Sequence, residues 1–297
     1  MDSSAASAPT TCQVARKINM PQMCIDGLSE NWLFKYLGAN HWEMLCRGLG
    51  TDSTHLQNED GERLYASFVR IRMDAARAIC AFRENEHITL NGQLQRYGNE
   101  MYFSDFAFTS QADATKTIQA QLMTIFSVRA SSGNQKLLRS EARQSNAGIT
   151  ALKTMPAFGQ EYRKIKLQKL TSIRLKGHEF VLSDAVLFEK EYRLNPYYDV
   201  NGVGLIYFAA YPTISDSCES HYFNTLHPTG KRWEQQYFTL ARDLLYYANC
   251  ELSDTIIYRL NQVEHVDADT VCISSSLYRQ SDGALMARLF TVKGLSR

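Results

Sequence analysis

Asn195–Tyr211 has the sequence NPYYDVNGVGLIYFAAY, which combines a turn, a glycine-bearing loop and an apolar run. Pro196 has no amide N–H and disfavours helical angles at the residue before it, so the stretch begins with a turn. The glycines of Asp199–Gly204 allow a close approach of the backbone to a neighbour. Leu205–Tyr211 is apolar on every side, which predicts a helix buried on all faces.

A polar loop that leads into a buried helix exposes amide N–H groups at the helix start. These groups, with the helix dipole behind them, suit an oxyanion or a polarised carbonyl. An ordinary helix start capped by Asp199 or Asn201 has the same pattern. The local sequence leaves both interpretations open and, taken alone, favours the ordinary helix start.

The composition sets broad limits on the class of protein. At 297 residues the chain is long enough for one large domain or two ordinary ones, and 44% hydrophobic residues supply an ample core. The 32 basic and 31 acidic residues give a net charge of +1 without long runs of one sign, which argues against nucleic-acid and acidic-membrane partners. The beginning of the chain lacks an apolar secretory segment, and no apolar run is long enough to cross a bilayer. We therefore expect a cytoplasmic protein.

The seven cysteines predict reduced thiols rather than disulfides or a zinc site. They are scattered and odd in number, and none belongs to a CxxC pair. His41 and Glu43 stand two apart, and the sequence has no HExxH motif, Cys/His cluster or phosphate-binding loop. We expect neither a metal ion nor a cofactor.

The first half has the pattern of a helical region followed by an antiparallel meander. Residues 1–19 are small and polar, which predicts a loosely attached end. Leu28–Leu49 has helical spacing, with Ser29 as its cap and an interruption at Gly38. Alternation then predicts strands at Leu64–Met73, Ala76–Arg83, Ile88–Tyr97, Met101–Phe108 and Thr117–Arg129.

The second half repeats this order. Residues 131–160 are polar and are interpreted as the connection between the halves. Strands are predicted at Ala185–Leu194, Glu234–Tyr247, Thr255–Gln262, Thr270–Arg279 and Ala284–Lys293.

Internal matches at one shift indicate a duplicated unit. The matched segments are 164 or 165 positions apart: Ile125–Arg129 with Leu289–Lys293, Ala76-Arg77 with Ala241-Arg242, and Gly38 with Gly202. A single apolar helix is hidden from water only when a sheet wraps it. The sequence therefore predicts an α+β double hot-dog, in which residues 1–155 and 156–297 each form a helix inside a curled antiparallel sheet.

Two segments resemble a family of double hot-dog biosynthetic proteins. They are Asn195–Phe208 and Leu28–Leu33, the latter followed by His41-Trp42. The family includes the bifunctional acyltransferase/decarboxylase of leinamycin polyketide biosynthesis, and the resemblance runs from about Leu28 to the C-terminus. It implies decarboxylation of a malonyl- or methylmalonyl-CoA thioester and transfer of the acyl group to an acyl carrier protein.

Such a decarboxylase has to stabilise an enolate on the thioester oxygen and to exclude water. The side chain of Asn201 and the amides of Gly202, Val203 and Gly204 fit the role of donors, and Asn201 fits a plain turn residue equally well. His41 and Arg242 complete the predicted substrate-binding set. Arg242 is interpreted as a basic residue at the mouth for CoA or phosphopantetheine, with an ordinary surface charge as the alternative.

The resemblance also implies a tyrosine nucleophile in the first half, for which Tyr65 has the best position. A neutral phenol is a poor nucleophile, so a nearby cation has to favour its ionised form. Arg63, Arg70 and Arg72 are close in sequence. A tyrosine packed in a sheet is the alternative, and for any one of sixteen tyrosines it is favoured.

Asp199, the third predicted catalytic residue, raises the alternative of a hydrolase. In hot-dog thioesterases of the 4-hydroxybenzoyl-CoA type, an aspartate near the helix start is followed by glycine, histidine and asparagine, but Val203 occupies the expected histidine position here. This departure weakens a thioesterase and equally a dehydratase, which needs a histidine beside the acid. It favours a third alternative, a silent module that binds an acyl chain or a carrier protein. The two fused units already supply the hot-dog pair, so the protein is expected to be a monomer or a homodimer.

Overall fold

The computed structural model describes residues 10–25, 27–130, 133, 137–228 and 230–296. The first half contains β1 (Thr10–Lys17), β2 (Met23–Cys24), β3 (Gly27–Leu28), α1 (Glu30–Gly48), β4 (Tyr65–Ala75), β5 (His87–Tyr97), β6 (Met101–Ser110), β7 (Thr117–Arg129), β8 (Leu137–Arg139) and β9 (Thr150–Ala151). The second half contains α2 (Ala157–Lys166), β10 (Ser172–Leu175), β11 (His178–Val181), β12 (Phe188–Arg193), α3 (Ala210–Leu226), α4 (Trp233–Gln236), β13 (Tyr237–Tyr246), β14 (Thr255–His265), β15 (Thr270–Arg279) and β16 (Leu285–Leu295).

Twelve strands form one sheet in which the two halves have matching strand orders. Its main path runs β1-β5-β6-β7-β4-β13-β16-β15-β14-β12, with β8 beside β7 and β9 beside β5. All pairs on this path are antiparallel. The halves meet at β4 and β13, where Arg70–Asp74 pairs with Ala241–Leu245. The order of each half, read outward from this junction, is the same.

The repeat is also visible in the irregularities of the two central strands. A β-bulge lies between Phe68 and Arg70 in β4, and another lies between Thr239 and Ala241 in β13. Arg70 and Ala241, the first paired residues after the two bulges, are equivalent positions in the repeat and lie 171 positions apart in the sequence. The residue matches predicted at 164 and 165 positions are therefore wrong, because short class-by-class matches slide easily along alternating strands.

Helix α1 follows the sequence prediction closely. Its cap is Ser29, whose Oγ accepts a hydrogen bond from the N–H of Trp32 at 3.2 Å, and Glu30 and Arg47 complement the dipole at the two ends. The helix runs through Gly38 without interruption. A Cβ at this glycine would lie only 2.4 Å from Phe208, so the residue serves close packing rather than a break.

The stretch Asn195–Tyr211 forms a longer loop than predicted. Helix α3 begins at Ala210, and Val200 and Ile206 form an isolated antiparallel bridge that folds the intervening residues into a tight turn. The prediction of a helix over Leu205–Tyr211 is wrong. Because Leu205 and Ile206 are buried in the loop, their composition is that of a buried helix, and periodicity does not separate the two.

The sheet carries a hydrophobic core on each face. The larger core surrounds α1 and α3 and includes Phe34, Leu37 and Ile214. The other lies under α2 and the β10–β11 hairpin and includes Phe158 and Phe290. Neither α2 nor the hairpin was predicted from the sequence.

Several other sequence predictions need correction. Residues 76–83 contain a short 3-10 helix at Ile79–Ala81 instead of a strand. Thr10–Lys17, predicted to be loose, pairs with β5, while residues 1–9 lie outside the described part of the chain. The polar connection 131–160 contains β8, β9 and the start of α2, with residues 131–132 and 134–136 outside the description.

The architecture confirms the predicted double hot-dog, with one long helix packed against each half of a shared antiparallel sheet. The predicted boundary at residue 155 falls between β9 and α2 and stays a prediction. Within the described residues, no helix is long and apolar enough to cross a membrane, and no group of three His, Cys, Asp or Glu side chains is placed to hold a metal ion.

Candidate functional site

A cavity of about 870 Å³ opens where the two central strands part. β4 and β13 pair over Arg70–Asp74 and Ala241–Leu245. Before Arg70 and after Leu245 this ladder stops, and the loop that precedes α3 enters the gap. The cavity walls are the start of β4, the middle of α1, this loop and the end of β13, with α2 and β8 closing the outer side.

The lining of the cavity has an unusual chemical composition. It includes six tyrosines, Tyr65, Tyr162, Tyr207, Tyr211, Tyr246 and Tyr247. Three cationic side chains, Arg63, Arg139 and Lys166, are exposed and mark the mouth. Among the described residues that line the cavity there is no aspartate, glutamate, histidine or cysteine. The site is therefore rich in cationic and phenolic groups and has no carboxylate, histidine or thiol to act as a general base.

Burial keeps most of the cavity tyrosines in the protonated form. It raises the pKa of Tyr162 and Tyr247 to about 12 and raises the pKa of Tyr207, Tyr211 and Tyr246 as well. Two of these phenols are already used, since Tyr211 donates to the carbonyl of Ala248 and Tyr246 donates to that of Phe208. They hold the loop and the end of β13 together.

Tyr65 lies at the start of β4 on the cavity wall, directly across from Ser127 of β7. The guanidinium carbons of Arg63 and Arg129 lie 5.5 and 5.4 Å from the centre of its ring. Beside it, the hydroxyls of Ser67 and Ser127 are 2.5 Å apart. Tyr65 is thus a partly buried cavity residue next to two positive charges.

Asn201 lies on the cavity wall and also closes the loop. Its Oδ1 accepts hydrogen bonds from the amides of Val203 at 3.1 Å and Leu205 at 3.0 Å. Because two N–H groups point at this atom, it is the oxygen of the side-chain amide. The Nδ2 group is then turned away from the loop backbone, and within the described residues it has no hydrogen-bond partner. The cavity wall therefore offers an amide donor to a substrate.

The predicted row of backbone donors is largely absent. The amide of Asn201 donates to the Leu205 carbonyl at 2.8 Å, that of Gly204 to the Asn201 carbonyl at 2.9 Å, and that of Val203 to the Asn201 side chain. Gly202 lines the cavity, and its amide has no acceptor in the described part of the chain. The hypothesis of an oxyanion hole at the helix start needs correction, because these residues form a closed turn eight positions before α3.

Asp199 stabilises the loop through hydrogen bonds and does not line the cavity. It is 3% exposed, and its Oδ2 accepts from the Asn195 amide at 2.7 Å and from the Tyr192 hydroxyl at 3.0 Å. Its carbonyl also accepts from the Tyr207 amide. With its hydrogen bonds directed to the protein, this carboxylate is placed to hold the turn and not to activate a water in the cavity.

His41 lies inside the first core and does not line the cavity, although its ring packs against that of Phe68, which does. The ring is fully buried, with Nδ1 2.7 Å from the Ser104 hydroxyl and Nε2 2.8 Å from that of Thr124. Burial lowers its pKa to about 3, so the ring is neutral. It joins α1 to β6 and β7, and nothing in its surroundings leaves room for a substrate.

Arg242 is also fully buried, on the side of the β4–β13 junction opposite the cavity. Its guanidinium pairs with Glu30 at 2.5 Å and Asp216 at 2.9 Å, and Lys293 joins the same cluster through Asp216 and Glu219. Burial raises the pKa of Glu30 and of Glu219, while Arg242 and Lys293 outweigh burial at Asp216 and lower its pKa. Arg242 therefore neutralises buried carboxylates instead of standing at a mouth.

The cavity thus brings together Tyr65, Asn201, Gly202 and Val203 of the predicted set, while Gly204 closes the adjoining turn. Sequence reasoning missed the surrounding residues, among them Ser127, Arg129, Tyr162, Lys166 and Asn249. The alternation of Ile125, Ser127 and Arg129 places them on one face of a strand, as it does for Tyr65 and Ser67. The register that sets these two faces side by side is not readable from either strand alone.

The chain is similar to solved thioesterase structures at low sequence identity. A putative oleoyl thioesterase from Lactobacillus plantarum matches with a TM-score of 0.66 at 11% identity, over 98% of this chain and 99% of that one. The 12:0-ACP thioesterase from Umbellularia californica gives 0.62 at 9%, over 97% and 99%. An acyl-ACP thioesterase from Bacteroides thetaiotaomicron gives 0.59 at 11%, over 96% and 98%. No protein-family model matches the chain, and no curated protein matches its sequence. At these identities the likeness establishes the fold: the chain is a double hot-dog along its whole length.

Proposed function

We propose that this protein acts on acyl thioesters, as a decarboxylase and acyltransferase for malonyl- or methylmalonyl-type CoA substrates with an acyl carrier protein as acceptor. The observation that carries the proposal is the lining of the cavity. Hydrolysis requires a base that activates water, and no carboxylate, histidine or cysteine lines the described cavity wall. Decarboxylation requires no such base, because the bond that breaks is a carbon–carbon bond.

The donors on the loop suit the charge that develops in this reaction. When carbon dioxide leaves, the electron pair of the broken bond passes to the thioester carbonyl, which becomes an enolate until a proton returns to the α-carbon. A fixed donor aimed at that oxygen lowers the barrier. The Nδ2 group of Asn201 and the amide of Gly202 are the open donors on this wall.

The aromatic inner end of the cavity suits the loss of a charged group. Trp42, Phe68, Phe208 and Tyr211 line it, and the rings of Phe68 and Phe208 are in contact at a tilt of 33°, with centroids 4.0 Å apart. A dry environment disfavours a carboxylate relative to neutral carbon dioxide. This end of the cavity therefore supports decarboxylation.

Acyl transfer would use Tyr65. Its phenol oxygen attacks the thioester carbon, the CoA thiol leaves with the phenol proton, and the resulting ester passes to the thiol of the carrier protein. The position of Tyr65 on the cavity wall beside Arg63 and Arg129 supports this role.

Hydrolysis of an acyl-CoA or acyl carrier thioester is the second candidate, and the similarity to thioesterase structures favours it. A single incubation series separates it from the first. The protein is mixed with malonyl-CoA, methylmalonyl-CoA or dodecanoyl carrier protein, with and without free carrier protein. Carbon dioxide, free thiol and acylated carrier are measured. We expect carbon dioxide and acylated carrier from the first two substrates. Free thiol without carbon dioxide would establish the hydrolase, and no turnover would leave a binding module.

Tyr65→Phe tests the nucleophile. The change keeps the ring and its contacts with the two guanidiniums but removes the phenol oxygen, so the fold should be unchanged. We expect loss of any acyl adduct seen by mass spectrometry and of acyl transfer, with decarboxylation retained. Tyr162→Phe, in the same cavity, is the control and should keep the adduct. An adduct that survives in Tyr65→Phe would remove this tyrosine from the mechanism.

A further inference from the structure

Arg129 is an unusual cation in the described part of the structure. Its Nε and Nη2 atoms are buried, and neither has a hydrogen-bond partner. The Arg129 side chain as a whole is partly buried, whereas Arg70 on the neighbouring strand is fully buried and is paired with Asp243 and Glu161. Leaving buried donors of a charged group unpaired is costly. The unpaired guanidinium of Arg129 therefore indicates a functional role for its charge.

The surroundings of Arg129 show where that charge acts. Its guanidinium faces Tyr65, and so does that of Arg63, which lines the mouth of the cavity. Within the described residues Arg63 has no ion-pair partner either, whereas Arg139 nearby is paired with Glu100. Two cations without counter-ions therefore flank one cavity tyrosine.

We infer that Arg63 and Arg129, which both pack against the ring of Tyr65, form a subsite for an anionic group of the substrate. The inference rests on the proposed function, which supplies a thioester as the ligand. Each guanidinium carries several N–H donors, and charge-assisted hydrogen bonds from such groups to an oxyanion are the stronger ones. The occupant is an oxyanion, from either of two sources on the same substrate.

The first source is a phosphate of CoA or of the phosphopantetheine arm, and the second is the free carboxylate of the acyl group. A cation held against the carboxylate opposes its loss as carbon dioxide. Phosphate at the subsite therefore fits a decarboxylase in which Tyr65 is not the nucleophile, because the pantetheine arm keeps the phosphate away from the thioester carbon. Carboxylate at the subsite fits a transferase that keeps the malonyl group intact. The two sources are separable by simple probes.

The probes are inorganic pyrophosphate and malonate, titrated calorimetrically at constant ionic strength. The proteins are the full chain, Arg129→Met, Arg63→Met and, as a control with the same change in net charge, Arg174→Met on β10, which is exposed and remote from the cavity. The Arg129→Met protein should fold normally, because the lost guanidinium leaves no buried partner unpaired. Its melting temperature without ligand checks this.

We expect Arg129→Met and Arg63→Met each to weaken binding of one probe by about 10- to 100-fold, and Arg174→Met to leave it unchanged. Loss for pyrophosphate identifies the phosphate, and loss for malonate identifies the carboxylate. The KM for malonyl-CoA should rise in the same two variants. If Arg129→Met alters neither probe binding nor KM, the subsite is refuted while the proposed function stands. If the wild type binds a probe through Arg129 but turns over no thioester, the function is refuted and the subsite stands.

Discussion

Asn201 has two roles because its side-chain amide has two different ends. The oxygen accepts from two amides of the loop, and the nitrogen is left for the cavity. Asp199, two residues earlier, has a carboxylate that accepts from the backbone and from Tyr192. The segment that contains Asp199 and Asn201 therefore presents one hydrogen-bond donor, Nδ2 of Asn201, to the cavity and no general base.

His41 leads to a prediction about the pH dependence of stability. Its pKa is about 3 in the folded state because the ring is buried, and near 6.5 in an unfolded chain. Above pH 6.5 both states are neutral and the group has no effect. As the pH falls below 6.5 the unfolded state takes up a proton that the folded state refuses, so the free energy of unfolding decreases. We expect a loss of about 2 kcal/mol at pH 5 relative to pH 8 from this residue.

Urea unfolding of the wild type and of His41→Gln between pH 5 and 8 measures this contribution. The variant is expected to be less stable at pH 8, because the contacts with Ser104 and Thr124 change, but to have a flatter pH profile. Equal slopes for the two proteins would show that His41 is not held neutral in the fold.

Some residues selected from the sequence lie on the cavity wall, but the surroundings of the others were not predicted. Tyr65, which was selected on the family resemblance, and Asn201, which was selected from its turn motif, both lie on the cavity wall. His41 was predicted to bind substrate because it belongs to a segment that carries the resemblance, and Arg242 because a basic residue suits the mouth of a CoA site. Their burial depends on which strands cover them, and no local pattern carries that information.

The contact between helix α1 and the loop before α3 shapes the inner end of the cavity. The ring of Phe208 lies against Gly38 and packs at a tilt against the ring of Phe68. Because the glycine has no Cβ, the loop packs directly onto the helix backbone.

Gly38→Ala should therefore alter the site more than the helix. Alanine favours a helix over glycine by about 1 kcal/mol, which offsets part of the cost of displacing the Phe208 ring. We expect little change in melting temperature but an increase of about 10-fold in the KM for malonyl-CoA, because the displaced ring moves into the cavity. The double variant Gly38→Ala/Phe208→Leu has room for the methyl group and should recover most of the affinity. An unchanged KM in the single variant would show that this contact does not shape the substrate site.

Elements with a strong local sequence pattern were mostly predicted with accurate bounds. Helix α1 has a cap, and polar turn residues flank β7 and β15, so their bounds were close to those observed. The start of α3 was missed because Leu205–Ala209 is apolar without being helical. Helix α2 was missed although Phe158, Tyr162 and Ile165 have helical spacing, because its first residues were assigned to the polar connection 131–160.

A short ladder and a buried ion cluster join the two halves at the centre of the molecule. Asp243 of β13 accepts hydrogen bonds from Arg70 and Arg72 of β4, and Glu161 of α2 binds the same two guanidiniums. Burial raises the pKa of the Asp243 carboxyl, but the two arginines outweigh it and hold the pKa below its ordinary value. The cluster connects both halves and the helix that closes the outer side of the cavity.

Asp243→Asn should destabilise the molecule by about 3–5 kcal/mol, because it leaves two arginines partly uncompensated, one of them fully buried. Urea unfolding measures the change. Asp113→Asn is the control, since its pair with Arg77 is 3.9 Å long and exposed, and we expect no measurable effect there. A loss no larger than that of the control would mean that the cluster does not hold the halves together.

The two halves share a topology but differ in the side chains beside their junction. On one side of the junction the strands part around a cavity, and on the other the corresponding space is filled by Arg242, Lys293 and their carboxylates. The duplication was predictable from the repeated order of helix and strands. The asymmetry was not, because it arises from side chains that are far apart in sequence, such as Glu30 and Arg242.

The most direct test of the account is the rate of carbon dioxide release from malonyl-CoA by the wild type and by Asn201→Asp. The variant keeps an oxygen for the amides of Val203 and Leu205, so its melting temperature should be unchanged, but it replaces the donor to the thioester with a negative charge. We predict release by the wild type and a decrease of at least about 100-fold in the variant. A variant that keeps the wild-type rate, or a wild type that releases CoA from malonyl-CoA without carbon dioxide, would contradict the account.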